Sequence, residues 1–261
     1  MATFCSLFSS SSGNCTYIGT PSGGILIDIG VSAKRTETAL RNIGVDPADI
    51  GAVFVTHEHN DHISGVRVFA SRYKAKVYAS EGTLIGMDSA GVFTSPVEAY
   101  IMPESGMEAM GMYIRPFHTS HDANDPTGFT ITLSSGKRAA VATDTGTVTD
   151  SMKENLAGCN LILLESNHDI NMLKMGPYPY ILKKRILSDT GHLSNDMCSS
   201  FAAELIESGT ENLILGHLSK ENNIPALAFE TTKSALEEKG YRTNEDFILH
   251  VAGDLNPPVI F

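Results

Sequence analysis

The stretch His57-Glu58-His59-Asn60-Asp61-His62 directly follows an apolar run, Ala52-Val53-Phe54-Val55-Thr56. The run is short and rich in Val and Phe, which predicts a strand over 51–56. Three imidazoles and a carboxylate crowded at a strand end are poorly explained as a solvated polar loop. In extended backbone, residues two apart point to the same side, so His57 and His59 can aim at one cation. Asp61 and His62 lie just past the strand, where the chain turns into a helix, and can aim at a neighbouring point. Imidazole together with carboxylate suits Zn²⁺ or Mn²⁺, and Fe²⁺ as well.

The rest of the chain offers similar groups in similar settings. His121 follows Met112-Tyr113-Ile114-Arg115-Pro116-Phe117, Asp144 ends Ala139-Ala140-Val141-Ala142-Thr143, and His217 ends Leu213-Ile214-Leu215-Gly216. Groups at strand ends converge on shared sites in α/β proteins. The expected ligand set is therefore His57, His59, Asp61, His62, His121, Asp144 and His217, holding two divalent ions. Two cations ~3.5–4 Å apart lower the pKa of a bridging water and clamp both oxygens of an in-line displacement. A carboxylate has two oxygens and is the natural bridge, a role that falls to Asp144. Asp61 can bind a metal and orient the hydroxide.

Working outward, short Val- and Ile-rich runs between turn signals predict strands at 14–19, 24–29, 51–56, 76–79, 110–117, 128–133, 138–143, 160–165, 212–216 and 246–251. Helical spacing predicts helices at 32–43, 62–74, 81–90, 150–157, 195–208 and 225–239. Ser32 and Ser194 suit N-caps, and Gly44 and Gly240 suit helix stops. Helices mostly follow strands, so two sheets packed together with helices outside them are expected, in a single domain over 1–261. The Pro- and Tyr-rich segment 171–190 breaks the rhythm and reads as an irregular flap.

Composition bounds the function. Apolar residues make up 42 % and charged residues 19 %, ordinary for a chain that buries a real core. No stretch approaches the ~20 uncharged apolar residues that span a bilayer. The first residues lack a basic region ahead of their short apolar run, so a cytoplasmic location is expected. Cys5, Cys15, Cys159 and Cys198 form no C-x-x-C pair, which argues against a thiolate zinc site. The net charge of −11 is awkward for a general nucleic-acid binder. It does not exclude one, because bound cations invert the local field.

The spacing H-x-H-x-D-H at 57–62, with His121, Asp144 and His217, resembles the metallo-β-lactamase superfamily. Leu26-Ile27-Asp28-Ile29-Gly30 matches that family's early strand, whose Asp supports the site from behind the ligands. The resemblance implies an α/β fold, the αββα sandwich, with the metals at one edge. True β-lactamases usually carry Cys where Asp144 stands, and diiron flavoproteins Glu where His59 stands. Ribonuclease J has an inserted domain and ribonuclease Z an extended arm, neither of which is found here. Ser11-Ser12-Gly13-Asn14-Cys15, Ser120-His121-Asp122-Ala123, Glu165-Ser166-Asn167-His168-Asp169, Gly191-His192-Leu193-Ser194-Asn195 and Gly216-His217-Leu218-Ser219 are similar to the YycJ/WalJ group of small bacterial proteins.

That likeness implies a metal-dependent phosphodiesterase acting on nucleic acid, DNA rather than RNA, as a 5′→3′ exonuclease that uses a metal-bridging hydroxide. By the same likeness His192 contacts the scissile phosphate or protonates the leaving group. His168 supports the ligands, faces substrate, or is structural. His118 is a neighbour of the site, and His250, in a late apolar strand, is expected in the core. Lys183, Lys184, Arg185 and Ser194 are candidate substrate contacts, and Tyr178 and Tyr180 nearby either stack on bases or pack the segment onto the domain. Two other readings stay open: a thioester or lactone hydrolase on the same ligands, favoured by the acidic charge, and a metal-stabilised binding module without catalysis.

Overall fold

A computed structural model describes residues 2–253 and 256–261 and divides into two compact units. The first unit comprises the chain up to Pro116, Ala123–Lys137 and the C-terminal segment from Gly253. The second comprises Phe117–Asp122 and Arg138–Ala252.

In the first unit a mixed sheet begins with the hairpin β1 (Thr3–Ser10) and β2 (Gly13–Thr20). It continues through β3 (Gly23–Ile27), β4 (Ile50–Phe54), β5 (Lys76–Ala79) and β6 (Ala99–Ile101) in that spatial order. The hairpin strands are antiparallel, and β3 to β6 run parallel. Val259–Ile260 closes the other edge against β1. β7 (Met107–Ala109) and β8 (Met112–His118) make a second hairpin, followed by β9 (Thr127–Leu133). Helices α1 (Ala33–Asn42), α2 (Asn60–Ile63), α3 (Val66–Tyr73) and α4 (Glu81–Ser89) belong to this unit. Its core gathers Leu26, Leu40, Val53, Val66, Phe69 and Val77.

The second unit is a parallel run ordered β13-β12-β11-β10, from β10 (Arg138–Ala142), β11 (Leu161–Glu165), β12 (Asn212–Gly216) and β13 (Ile248–Val251). Every residue of β11 is buried, as the unbroken run Leu-Ile-Leu-Leu-Glu requires of a strand covered on both faces. Helices α5 (Asp150–Leu156), α6 (Ile170–Met175), α7 (Tyr180–Ile186), α8 (Asn195–Glu207) and α9 (Pro225–Glu238) complete the unit. Ala140, Ile162, Leu164, Phe201, Leu213 and Leu215 form its core.

Most expected elements appear within a residue or two, and Ser32 and Ser194 do cap α1 and α8. Three readings need correction. The single helix expected at 62–74 is two helices, because Gly65 N–H bonds Ile29 O at 2.8 Å and diverts the backbone between them. The segment 171–190 is not irregular: it holds α6, capped by the Asp169 side chain on Met172 N–H at 2.7 Å, and α7. His250 is exposed, since β13 ends the parallel run and turns alternate residues outward.

Gly30 meets a steric constraint. A Cβ there would sit 1.5 Å from the Asp61 carbonyl oxygen and 2.6 Å from Asn14 N. The approach brings the Asp61–His62 turn against the end of β3. Gly30→Ala should therefore lower the thermal midpoint by roughly 6–12 °C, the consequence of about 3 kcal/mol of lost stability. Gly44→Ala, where nothing lies within 4 Å and only the left-handed φ of +78° opposes a side chain, should lower it by less, roughly 2–4 °C. Thermal melts of the two variants check this, and equal midpoints would remove the constraint.

Candidate functional site

In the first unit the histidine motif sits on the turn between β4 and α2. The His57 and His59 rings approach to 4.6 Å between centroids, and His57 and His62 to 4.1 Å. Glu58 points elsewhere: its carboxylate accepts from Asn124 N–H at 2.9 Å, and its stem lies on Gly86. The alternation expected of extended backbone thus holds through the motif. Asp28 follows β3 with φ +61° and is buried. Its carboxylate accepts from Thr56 N–H at 2.8 Å, from the Thr56 hydroxyl at 2.9 Å and from His62 Nδ1–H at 2.8 Å. A carboxylate only accepts, so His62 carries its proton on Nδ1 and a lone pair on Nε2. Thr56 Oγ1 lies 3.0 Å from His57 Nδ1, so one buried carboxylate orders both rings. Asn14, from the Ser-Ser-Gly-Asn turn, approaches His62 Nε2 at 3.0 Å. Asp61 is half-exposed, with its carboxylate 3.7 Å from the same nitrogen.

In the second unit three strand ends deliver most of the remaining groups. Asp144 follows β10 with φ +59°, Glu165 ends β11, and His217 follows β12 with φ +55°. Asp144, Glu165, His192 and His217 each offer a ligand atom within 4.8 Å of the others. Glu165, to which sequence reading assigned no role, is central. Its Oε1 accepts from His192 Nδ1–H at 2.7 Å and from His217 Nδ1–H at 2.9 Å, and its Oε2 accepts from Thr145 N–H at 2.8 Å. Burial alone would raise its carboxyl, but the His192 charge and the hydrogen bonds from both imidazoles outweigh that and hold it at about 2. His121 donates Nδ1–H to Gly191 O at 3.0 Å, and its Nε2 lies 3.8 Å from Asp144 Oδ1. Burial, more than any neighbouring group, lowers the His121 imidazole below its ordinary range.

The other candidates divide. His192 is the one member of its group that reaches solvent, with 19 % of its side chain exposed. His168 is buried beside that group, and burial pushes its imidazole down to about 4. Neither ring nitrogen of His168 has a hydrogen-bond partner among the described residues. Ser194 is also buried, and its hydroxyl accepts from Met197 N–H at 3.2 Å; it caps α8 and is not a surface contact. Lys183 closes the end of α6, donating to Lys174 O at 2.8 Å and Gly176 O at 2.7 Å. Arg185 makes a two-pronged ion pair with Asp122. Of the basic run, Lys184 projects from α7 without such an anchor. His118 is exposed at the end of β8.

The donor set fits a divalent cation. Ligating histidines typically give their second N–H to a carboxylate or carbonyl, which fixes tautomer and orientation. His62, His121 and His217 do so to Asp28, Gly191 and Glu165, leaving Nε2 as the donor nitrogen of each.

The Beta-lactamase superfamily domain model matches residues 24–218. Exodeoxyribonuclease YycJ of Bacillus anthracis is 38 % identical over 95 % of this chain and 94 % of its own length. Exodeoxyribonuclease WalJ of Streptococcus pneumoniae serotype 2 (strain D39 / NCTC 7466) is 36 % identical over 92 % and 90 %. Among solved structures, the metallo-β-lactamase fold protein YhfI from Bacillus subtilis superposes with TM-score 0.71 at 13 % identity, covering 97 % of each chain. The chain belongs to the β-lactamase superfamily and has the metallo-β-lactamase fold, an α/β sandwich built on two mixed sheets with flanking helices. Within the superfamily it is a YycJ/WalJ-like protein. Fold family and His/Asp clusters together point to divalent metal binding.

Glu165→Gln tests the carboxylate's hold. An amide must place its NH₂ either against two imidazole N–H groups or against the backbone N–H of Thr145. We expect the thermal midpoint to fall by roughly 5–10 °C. Long-range ¹H–¹⁵N spectra should show Nδ1–H tautomers at His192 and His217 in the parent chain and a changed tautomer at one or both in the variant. Identical spectra would mean that another group orients the rings.

Proposed function

We propose that the chain is a metal-dependent nuclease that removes nucleotides from DNA ends in the 5′→3′ direction. The observation that carries this reading is His192, held by Glu165 beside Asp144 and His217 while part of its ring stays open to solvent. The likeness to two proteins named exodeoxyribonuclease, over more than nine-tenths of this chain, supports the substrate class. No helix among the described residues is long and apolar enough to cross a membrane, and a cytoplasmic location is the one that a DNA substrate calls for.

His57, His59, Asp61, His62, His121, Asp144 and His217 are the proposed ligands of two divalent ions, Zn²⁺ or Mn²⁺. When bound, such ions supply Lewis-acid activation of water at neutral pH and offset charge on the phosphate. The chain's own groups do the positioning. Asp61, half-exposed on its turn, accepts a proton from the attacking water and orients it toward phosphorus. His192 passes a proton from Nε2 to the leaving oxygen while Glu165 keeps hold of Nδ1–H. Asp28 and Glu165 keep His62, His192 and His217 from rotating, so little reorganisation is needed at the moment of reaction. The net charge of −11 favours a second reading, a small-molecule thioester or lactone hydrolase on the same ligands.

Metal analysis after reconstitution with Zn²⁺ or Mn²⁺ should find two ions per chain; one ion at saturation would sink the dinuclear site. Asp61→Ala should abolish cleavage of labelled DNA and leave the thermal melt close to that of the parent, since the side chain serves a loop and not the core. His192→Ala should lower kcat by about 10²–10⁴-fold with DNA affinity nearly intact. Single-turnover cleavage paired with binding isotherms checks both. Turnover of a thioester, with no cleavage of DNA or RNA under any metal, would favour the second reading.

A further inference from the structure

Helix α7 has no buried residue, and its outward face carries large apolar side chains and basic ones but no acid. Tyr180 is 79 % exposed and Ile181 82 %, and Met175, at the end of α6, is 88 % exposed. On a 3.6-residue helix, Tyr180, Ile181 and Lys184 share one side, while Leu182, Lys183 and Ile186 fall on the partly covered side. Large apolar side chains this open need a reason, because exposure forgoes the ~1.5–3 kcal/mol that burying each would give.

The charge around them is also unusual for this chain. Residues 170–188 carry Lys174, Lys183, Lys184 and Arg185 and no acidic residue, within a protein of net charge −11. The base of the helix is anchored to the reactive region. His192 N–H bonds Ile186 O at 3.0 Å, Ser120 Oγ bonds Asp189 O at 2.8 Å, and Arg185 pairs with Asp122 beside His121. Gly191 passes so close beneath α7 that a Cβ would sit 2.2 Å from Ile186 O. The exposed face is therefore a ledge on a helix whose C-terminal end is tied to the His192 loop.

We infer that the Met175–Tyr180–Ile181–Lys184 ledge binds unpaired nucleobases, stacking the bases of a single-stranded end while Lys184 meets its backbone. The occupant is single-stranded DNA. A polyanion answers the local positive charge, and flat apolar bases answer the aromatic and aliphatic side chains. Paired bases hide their faces, so the ledge selects frayed or single-stranded ends over closed duplex. Seven residues of helix are too short to seat a membrane-surface segment. The inference names the substrate form for the nuclease reading above and rests on it.

The test is a binding measurement that needs no catalysis. The metal-loaded protein is titrated with a fluorescent, phosphorothioate-linked single strand of about 12 nucleotides, within the usual length of such sites. The comparison strand has equal length and charge but is abasic. The parent chain should bind the base-bearing strand about tenfold more tightly. Tyr180→Ala with Ile181→Ala should remove that preference, a loss of about tenfold in affinity for the base-bearing strand, and leave the abasic affinity unchanged. Lys184→Gln should weaken both strands equally and flatten the salt slope by about one unit. Since these side chains are exposed, thermal midpoints of the variants should stay within about 2 °C of the parent. Equal affinity for the two strands, or a preference that survives the double variant, overturns the ledge. Sedimentation with phosphatidylglycerol vesicles that depends on Tyr180 and Ile181, without base-dependent binding, overturns it in favour of a membrane. Turnover of bis(p-nitrophenyl) phosphate by the parent chain is read separately. Its absence together with base-dependent binding would count against the nuclease reading and not against the ledge.

Discussion

One carboxylate oxygen, Glu165 Oε1, accepts hydrogen bonds from two imidazoles, His192 at 2.7 Å and His217 at 2.9 Å. Taking a carboxylate out of water costs several kcal/mol, and only good geometry with satisfied lone pairs offsets it. Here the other oxygen is met by Thr145 N–H at 2.8 Å, so the charge is bonded on both sides. Removing any of these donors would leave a buried charge short of partners, which makes the group an all-or-none device. A proposed metal ligand and a proposed proton donor thereby share one anchor, and neither ring can turn without disturbing the other.

Asp28 plays the corresponding part in the first unit. It holds Thr56 through backbone and hydroxyl and His62 through Nδ1, and Thr56 in turn meets His57. Both carboxylates lie behind the histidines and set which nitrogen carries the lone pair. Three of the groups concerned, Asp28, Asp144 and His217, sit in left-handed backbone directly beyond strands. Such a conformation costs a non-glycine residue about 1–2 kcal/mol and persists only where surrounding structure insists on it. Its effect is to turn the chain sharply at the strand end, so that the side chain leaves the sheet's alternation. Glycines complete the arrangement from the other direction: Gly30 lets the Asp61 turn approach β3, and Gly191 lets the His192 loop pass under α7.

Charge and surface separate along the same lines. The chain as a whole is acidic, yet its basic residues between 170 and 188 stand without an acid among them. Two of the three in the 183–185 run are held by the protein itself, Lys183 on carbonyls and Arg185 on Asp122, and they stiffen the ledge. A positive run read from sequence is thus partly architecture, and the share left for a polyanion is smaller than its formal charge.

What the sequence by itself determined was the kind of chemistry and where along the chain it lies. His57 to His62 after Val53-Phe54-Val55, and Asp144 and His217 after their apolar runs, are local patterns, since strand periodicity and residue type are properties of neighbours. The caps at Ser32 and Ser194 were legible for the same reason, being side chain to backbone bonds three residues long. Only the tertiary structure decided what depends on partners far away in the chain. Glu165 meets residues 27 and 52 positions on, and no window of sequence contains those pairs. His250 was expected inside and lies outside, because strand order, not hydropathy, put β13 at an edge. The helices within 171–190 were hidden by two prolines and a glycine, and they form because Asp169 caps one and Lys183 joins it to the next. Residue type travels with the chain, whereas the proton-bearing nitrogen of a histidine is chosen by whichever acceptor the fold brings to it.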